Sequence, residues 1–174
     1  MKALAGPFAV ASIVLAVGGG LKVWRPAPTI GALSTMGLPG AAWFVRLLGL
    51  FEMAVGAGAV IVEARWLAGA VSLSYAAFAS FVAVALVRKL PLSSCGCFGR
   101  PDTPVSVVHL VLNVMAAMVA GAVVFGSAWS VPSIVLSQPL GGAPFVLLTG
   151  TSAFLVYLNF TLRARLAVAM RGAS

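Results

Sequence analysis

Five stretches of this chain run for close to twenty residues with almost no charge, and no other feature restricts its fold as much. They are Ala3 to Leu21, Ala41 to Val62, Trp66 to Val87, Pro104 to Phe125 and Pro144 to Leu162. A helix needs about 20 mostly apolar residues to cross a bilayer. Inside lipid the backbone finds no water to bond, so spanning segments are helices or strands of a closed barrel, and runs of this length fit helices. The reading is an all-α, polytopic transmembrane helical bundle. It has four spans and a fifth C-terminal one over 144–162, together one integral membrane domain of 174 residues. Its solvent is the lipid bilayer, and its expected location is the cell membrane, as a multi-pass protein.

The composition agrees: 61% hydrophobic and 8% charged excludes a water-soluble enzyme. Eleven Lys and Arg against three acids give a net charge of +8. In a soluble chain that balance would raise the question of nucleic acid. Here the basic residues stand singly or in small clusters at the ends of apolar runs, where they anchor helices and set orientation, so no nucleic-acid partner is expected.

The short basic start and Gly18, Gly19 and Gly20 resemble a signal peptide, but apolar segments follow, so the first stretch reads as a retained helix closed by Lys22 and Arg25. Pro26, Pro28, Gly31, Gly37, Pro39 and Gly40 then punctuate a loop or partly embedded turn. Only Glu63, Ala64 and Arg65 separate the second and third spans, which makes a tight antiparallel hairpin. From Thr103 to Leu162 there is no charge; Pro132, Pro139, Gly141 and Gly142 divide this length into two spans. Their weakly apolar connector is expected at the interface near Trp129. Arg163, Arg165 and Arg171 stop the last helix. Ala54, Gly58, Ala116 and Ala120, in pairs spaced four apart, permit close helix contacts. For five spans, the positive-inside count sets Lys2 and Arg65 against Lys22, Arg25, Arg88, Lys89, Arg100, Arg163, Arg165 and Arg171. This favours a cytoplasmic loop between the third and fourth spans and an N-terminus outside.

That loop carries the only two cysteines, in Ser94-Cys95-Gly96-Cys97-Phe98-Gly99-Arg100. Two thiols around one glycine close a small, strained disulfide, which is easily reduced and suits exchange better than bracing. Arg100 and the N-terminus of the fourth helix, with Asp102 or Thr103 as its cap and Pro104 in its first position, favour thiolate; Asp102 itself opposes it. The bland alternatives are a structural disulfide or two buried thiols in a tight turn. Two thiolates could also bind Cu(I) or Zn(II), but a closed zinc site wants four ligands and only His109 is near, so no metal site is expected. Ser106, His109 and Asn113 share one face of the fourth helix, either hydrogen-bonding between helices or serving a proton transfer for the thiols or a bound quinone. Glu52, inside the second span, must be protonated, paired with Lys22 or Arg46, or set beside water, and an intramembrane acid is a functional-site candidate by default.

Glu52-Met53-Ala54-Val55-Gly56, then Cys95-Gly96-Cys97-Phe98-Gly99, then Pro104, Ser106, His109 and Asn113 together resemble the MauE family, methylamine-utilisation membrane proteins related to the broader DoxX-like group. The resemblance covers residues 1–127 and is most specific at Cys-Gly-Cys-Phe-Gly. It implies a thiol-disulfide protein that helps mature a disulfide-rich methylamine dehydrogenase subunit, alongside a thioredoxin-like partner. The fifth span lies beyond the family's four-helix pattern. A role on exported proteins would put the cysteine loop outside the cytoplasm, against the charge count.

The first functional expectation is thus a membrane thiol redox protein in which Cys95 and Cys97 cycle, while Glu52, His109 and Asn113 shape the intramembrane site. A second is a quinone-coupled thiol oxidoreductase resembling the vitamin K epoxide reductase type, disfavoured by the single pair and its spacing. A third is a non-redox assembly subunit or permease whose cysteine turn is structural. No cofactor is required by the first reading; a quinone belongs to the second.

Overall fold

The computed structural model describes residues 2–62, 64–90, 106–126 and 130–171. The described residues form helices and short connections, without a strand, and five of the helices are long and apolar enough to cross a membrane. A short 3-10 turn at Lys2–Leu4 leads into α1 (Ala5–Trp24), followed by α2 (Ala27–Thr35), α3 (Ala42–Ile61), α4 (Arg65–Val87), α5 (Val107–Val124), α6 (Val131–Leu136) and α7 (Ala143–Arg171). The five expected spans therefore correspond to α1, α3, α4, α5 and the first part of α7.

Van der Waals fit and close backbone approach hold such a bundle together, since lipid is as apolar as the side chains it would replace. The tightest seam is α1 against α3. A Cβ on Gly56 would stand 2.5 Å from the Ser12 carbonyl oxygen, and one on Gly49 2.6 Å from that of Gly19. Only glycine permits this approach, and the pairing of 12 with 56 and 19 with 49 makes the helices antiparallel. Of the four small residues picked out for close packing, Ala120 is buried, Ala116 borders the same core and Gly58 touches Leu67, but Ala54 is exposed. α5 lies along α4, where the Ser72 hydroxyl donates to the Ala117 carbonyl at 2.9 Å. Phe8, Leu15, Val55, Val71 and Tyr75 fill the centre. Leu47, Phe51, Leu73 and Leu147 are exposed on the outside, where lipid would cover them. Trp24 and Trp43 are exposed near one end of the bundle and Trp66 near the other, as interfacial anchors are.

Four sequence expectations need correction. The Pro/Gly stretch after α1 contains a helix, because Pro26 and Pro28 suit a helical first turn rather than a loop. Gly37, at φ 75°, ends α2 in a Schellman arrangement: the Leu38 amide donates to the Leu33 carbonyl and the Gly37 amide to that of Ser34. α4 ends the same way with Lys89 at φ 50° in the glycine position. α5 starts at Val107, not Pro104, with Ser106 extended at the N-cap; Asp102, Thr103 and Pro104 lie outside the described residues. The connector after α5 contains α6, whose N-cap Ser130 forms a reciprocal capping box with Ser133; Trp129 is outside the described residues. Finally, α7 continues to Arg171, since arginine is a good helix former and ends the apolar span without ending the helix.

Candidate functional site

Consecutive spans alternate in direction, so the C-terminal ends of α1 and α4 and the N-terminal ends of α3 and α5 share one end of the bundle. Residues 91–105, with Cys95, Cys97 and Arg100, connect α4 to α5 at that end and lie outside the described residues. Lys22, in the last turn of α1, belongs to the same half of the bundle.

Lys22, two residues short of the end of α1, would ordinarily extend outward to the membrane surface. Instead it is 3% exposed, and its ammonium donates to Glu52 Oε2 at 2.5 Å; Glu52 is 1% exposed. Nζ also stands 4.6 Å from the centre of the Phe78 ring, a cation–π distance. One ammonium therefore ties α1 to both α3 and α4. Gly19 and Gly49 make the pair accessible: a Cβ on Gly19 would meet Glu52 Cβ at 2.9 Å, and one on Gly49 would meet Lys22 Cβ at 3.0 Å. Of the two partners expected for Glu52, Lys22 is the one used, while Arg46 is exposed. Glu52 Oε1 and the hydroxyl of Ser12 are buried without a hydrogen-bond partner among the described residues.

The second polar group is on α5. His109 and Asn113 are both buried, and Ser106 Oγ lies 2.7 Å from His109 Nδ1, which fixes the ring's rotation. Asn113 Nδ2 donates to the His109 carbonyl at 2.8 Å. The predicted single face is what the structure contains. Ser106 engages the ring in place of capping the helix, for it makes no side-chain cap bond.

Asn113 also lines a cavity of about 490 Å³ between α1, α5 and α7, closed on one side by Tyr75 of α4. The Tyr75 hydroxyl donates to the Ala11 carbonyl at 2.7 Å. A smaller space of about 280 Å³ continues between α1 and α7 around Val14 and Phe154. Lys22 and Glu52 sit on the α1–α3 seam, and His109 and Asn113 sit on α5. Sequence reasoning missed Tyr75, Phe78 and the cavity. It also missed the glycine seam, although Gly49, Glu52 and Gly56 stand at i, i+3 and i+7, the same spacing that joined Ser106, His109 and Asn113. Among the described residues no group of three or more His, Cys, Asp or Glu could hold a metal ion.

No curated protein and no solved structure matches the chain. A family model does match, that of "Methylamine utilisation protein MauE", over residues 2–126, which takes in α1 to α5 and leaves α6 and α7 beyond it. With its glycine-seamed helices, buried Glu52 and the polar face of α5 all inside that span, the chain belongs to the MauE family.

Proposed function

We propose that this protein is an integral membrane thiol-disulfide redox protein that assists disulfide formation or maturation of a partner, the client in this family being linked to methylamine utilisation. The observation that carries the reading is one of position. Cys95-Gly96-Cys97 falls in the sequence between α4 and α5, directly before the helix that opens with Ser106, His109 and Asn113.

The chemistry is exchange. A thiolate from the pair attacks a disulfide of a thioredoxin-like partner; an S–S bond forms to one partner sulfur and the other leaves as a thiolate that takes up a proton. The second cysteine of the pair then attacks the mixed disulfide, so Cys95 and Cys97 end oxidised and the partner gains two electrons and two protons. The same steps reversed make a disulfide in the partner. His109, held by Ser106, is the side chain suited to accept or return the thiol proton. Glu52 and Lys22 tie α1 to α3.

Alkylation before and after reduction tests the reading, on the full chain in membranes, for the wild type and for Cys95→Ser and Cys97→Ser. A reversible disulfide in the wild type, and a trapped mixed disulfide with a partner in one single variant, are expected. A pair that never oxidises, or a double variant that still supports partner maturation, would return the cysteines to a structural role.

A further inference from the structure

We propose that the cleft between α5 and α7, floored by α1, binds a membrane-soluble alcohol, a hydroxyl group carried on a long apolar chain. α1 packs against both α5 and α7, while these two barely touch each other. The space they leave is about 490 Å³, within the roughly 300–1,000 Å³ usual for small-molecule sites. Met115 of α5 and Leu148 and Ser152 of α7 line it and are exposed on the outside of the bundle, so entry is sideways, from the bilayer.

Two polar side chains line this mainly apolar space from within, and both are more than nine-tenths buried: Asn113 is 3% and Thr149 7% exposed. Asn113 Nδ2 donates to the His109 carbonyl of its own helix, which orients the carboxamide, and the carboxamide oxygen accepts no hydrogen bond among the described residues. Thr149 points the same way. The hydroxyls of Thr35, Ser74 and Ser80 each donate to the carbonyl four residues back in their own helix, the usual resort of a helical hydroxyl. That of Thr149 makes no hydrogen bond among the described residues. Burying polar atoms without partners is costly, and acyl chains alone would leave both groups so.

Their positions let one ligand meet both. Gly6 meets Phe145 at 4.0 Å and Val14 packs against Ala153, so α7 runs parallel to α1. Leu112 packs against the same Val14 and Ala153 cluster. Asn113, the next residue of α5, and Thr149, one turn before Ala153, are therefore about one helical turn apart along the bundle. An amide oxygen can only accept, so the ligand must donate to it. A hydroxyl does so while its own oxygen accepts from Thr149 Oγ1; a ketone or an ether lacks the donor. The apolar chain then lies along Val10, Val119 and Phe145. Thr149 and the rest of α7 lie beyond residues 2–126, the extent of the family match. The site takes nothing from the cysteines, so it stands or falls apart from the thiol reading.

The test uses the full chain in phosphatidylcholine nanodiscs, with a diazirine-bearing dodecanol as photoaffinity probe and mass spectrometry of the cross-linked peptides. Saturable labelling of α5 and α7 is expected, displaced by 1-dodecanol roughly three- to tenfold more effectively than by dodecyl methyl ether or dodecane, the worth of a hydrogen bond. Asn113→Leu and Thr149→Val should each weaken labelling by a similar factor at wild-type circular dichroism, since neither side chain bonds to a second helix among the described residues. Ser152→Phe, from its exposed place at the mouth, should block labelling. Labelling that never saturates, or that falls evenly on every lipid-facing helix, overturns the site. Saturable labelling displaced equally well by the ether and the alkane, or unchanged in both polar variants, overturns hydroxyl recognition and leaves a seat for acyl chains only. Should the polar variants fail to fold, the ether comparison on the wild type decides alone.

Discussion

Removing one member of the Lys22–Glu52 pair should damage this bundle more than removing both. The two side chains are 3% and 1% exposed, so neither can reach water without opening the α1–α3 seam. In Glu52→Leu the Lys22 ammonium stays buried beside the Phe78 ring, and that contact exists in both proteins, so it does not soften the difference. Stripping one partner from a buried pair costs about 3–5 kcal/mol, whereas apolar replacement of both is often neutral or favourable. At about 1.4 kcal/mol per tenfold, each single change should cut the folded-to-unfolded ratio by roughly two to three and a half powers of ten. Lys22→Met should behave like Glu52→Leu, and the double variant should be more stable than either. The assay is reversible unfolding of the full chain in mixed micelles titrated with denaturing detergent, followed by tryptophan fluorescence. A single-variant cost below about 1 kcal/mol, or a double-variant cost equal to the sum of the singles, would refute the pair as a coupled clasp.

Gly56→Ala should separate α1 from α3, since the new Cβ would meet backbone atoms of Ser12 and Ala16 at 2.5 and 2.6 Å. A loss of about 1–3 kcal/mol is expected by thermal unfolding, against a change within about 0.5 kcal/mol for Gly150→Ala, which has nothing within 4 Å. Lys89→Gly should raise the melting temperature, because the left-handed conformation at φ 50° costs an L residue about 1 kcal/mol that glycine avoids. Tyr75→Phe should lose about 1 kcal/mol in the same measurement by removing the hydroxyl that donates to the Ala11 carbonyl.

Span positions were legible because charge is costly in lipid, so uncharged runs announce helices whatever packs around them. The 106–109–113 face was legible too, since helical periodicity alone brings those residues together. Helix ends were less so. Pro104 looked like a first-turn residue, yet α5 starts at Val107 with Ser106 turned to the His109 ring. Proline and glycine between Arg25 and Gly40 read as loop punctuation, although the same residues serve equally well as the start and stop of α2. Lys22 shows the deeper limit. A lysine at the edge of an apolar run is ordinarily an anchor, and only the third dimension places Gly19, Gly49, Glu52 and Phe78 around it. The cavity was illegible for a similar reason, for it exists through the offset of α7 from α1 rather than through any motif.

The inward turn of Lys22 also changes the orientation argument. A lysine bonded to Glu52 inside the bundle does not meet the membrane surface, so it drops out of the charge count, while exposed Arg25 and Arg46 remain near the same end. The asymmetry survives the exchange: Lys2 and Arg65 on one side face Arg25, Arg46, Arg88, Lys89, Arg100, Arg163, Arg165 and Arg171 on the other. The positive-inside rule then predicts a cytoplasmic cysteine connection, with thiols in intact cells labelled by a permeant maleimide and spared by an impermeant one. Labelling by the impermeant reagent would reverse the orientation and mean that bundle packing had overruled eight charges.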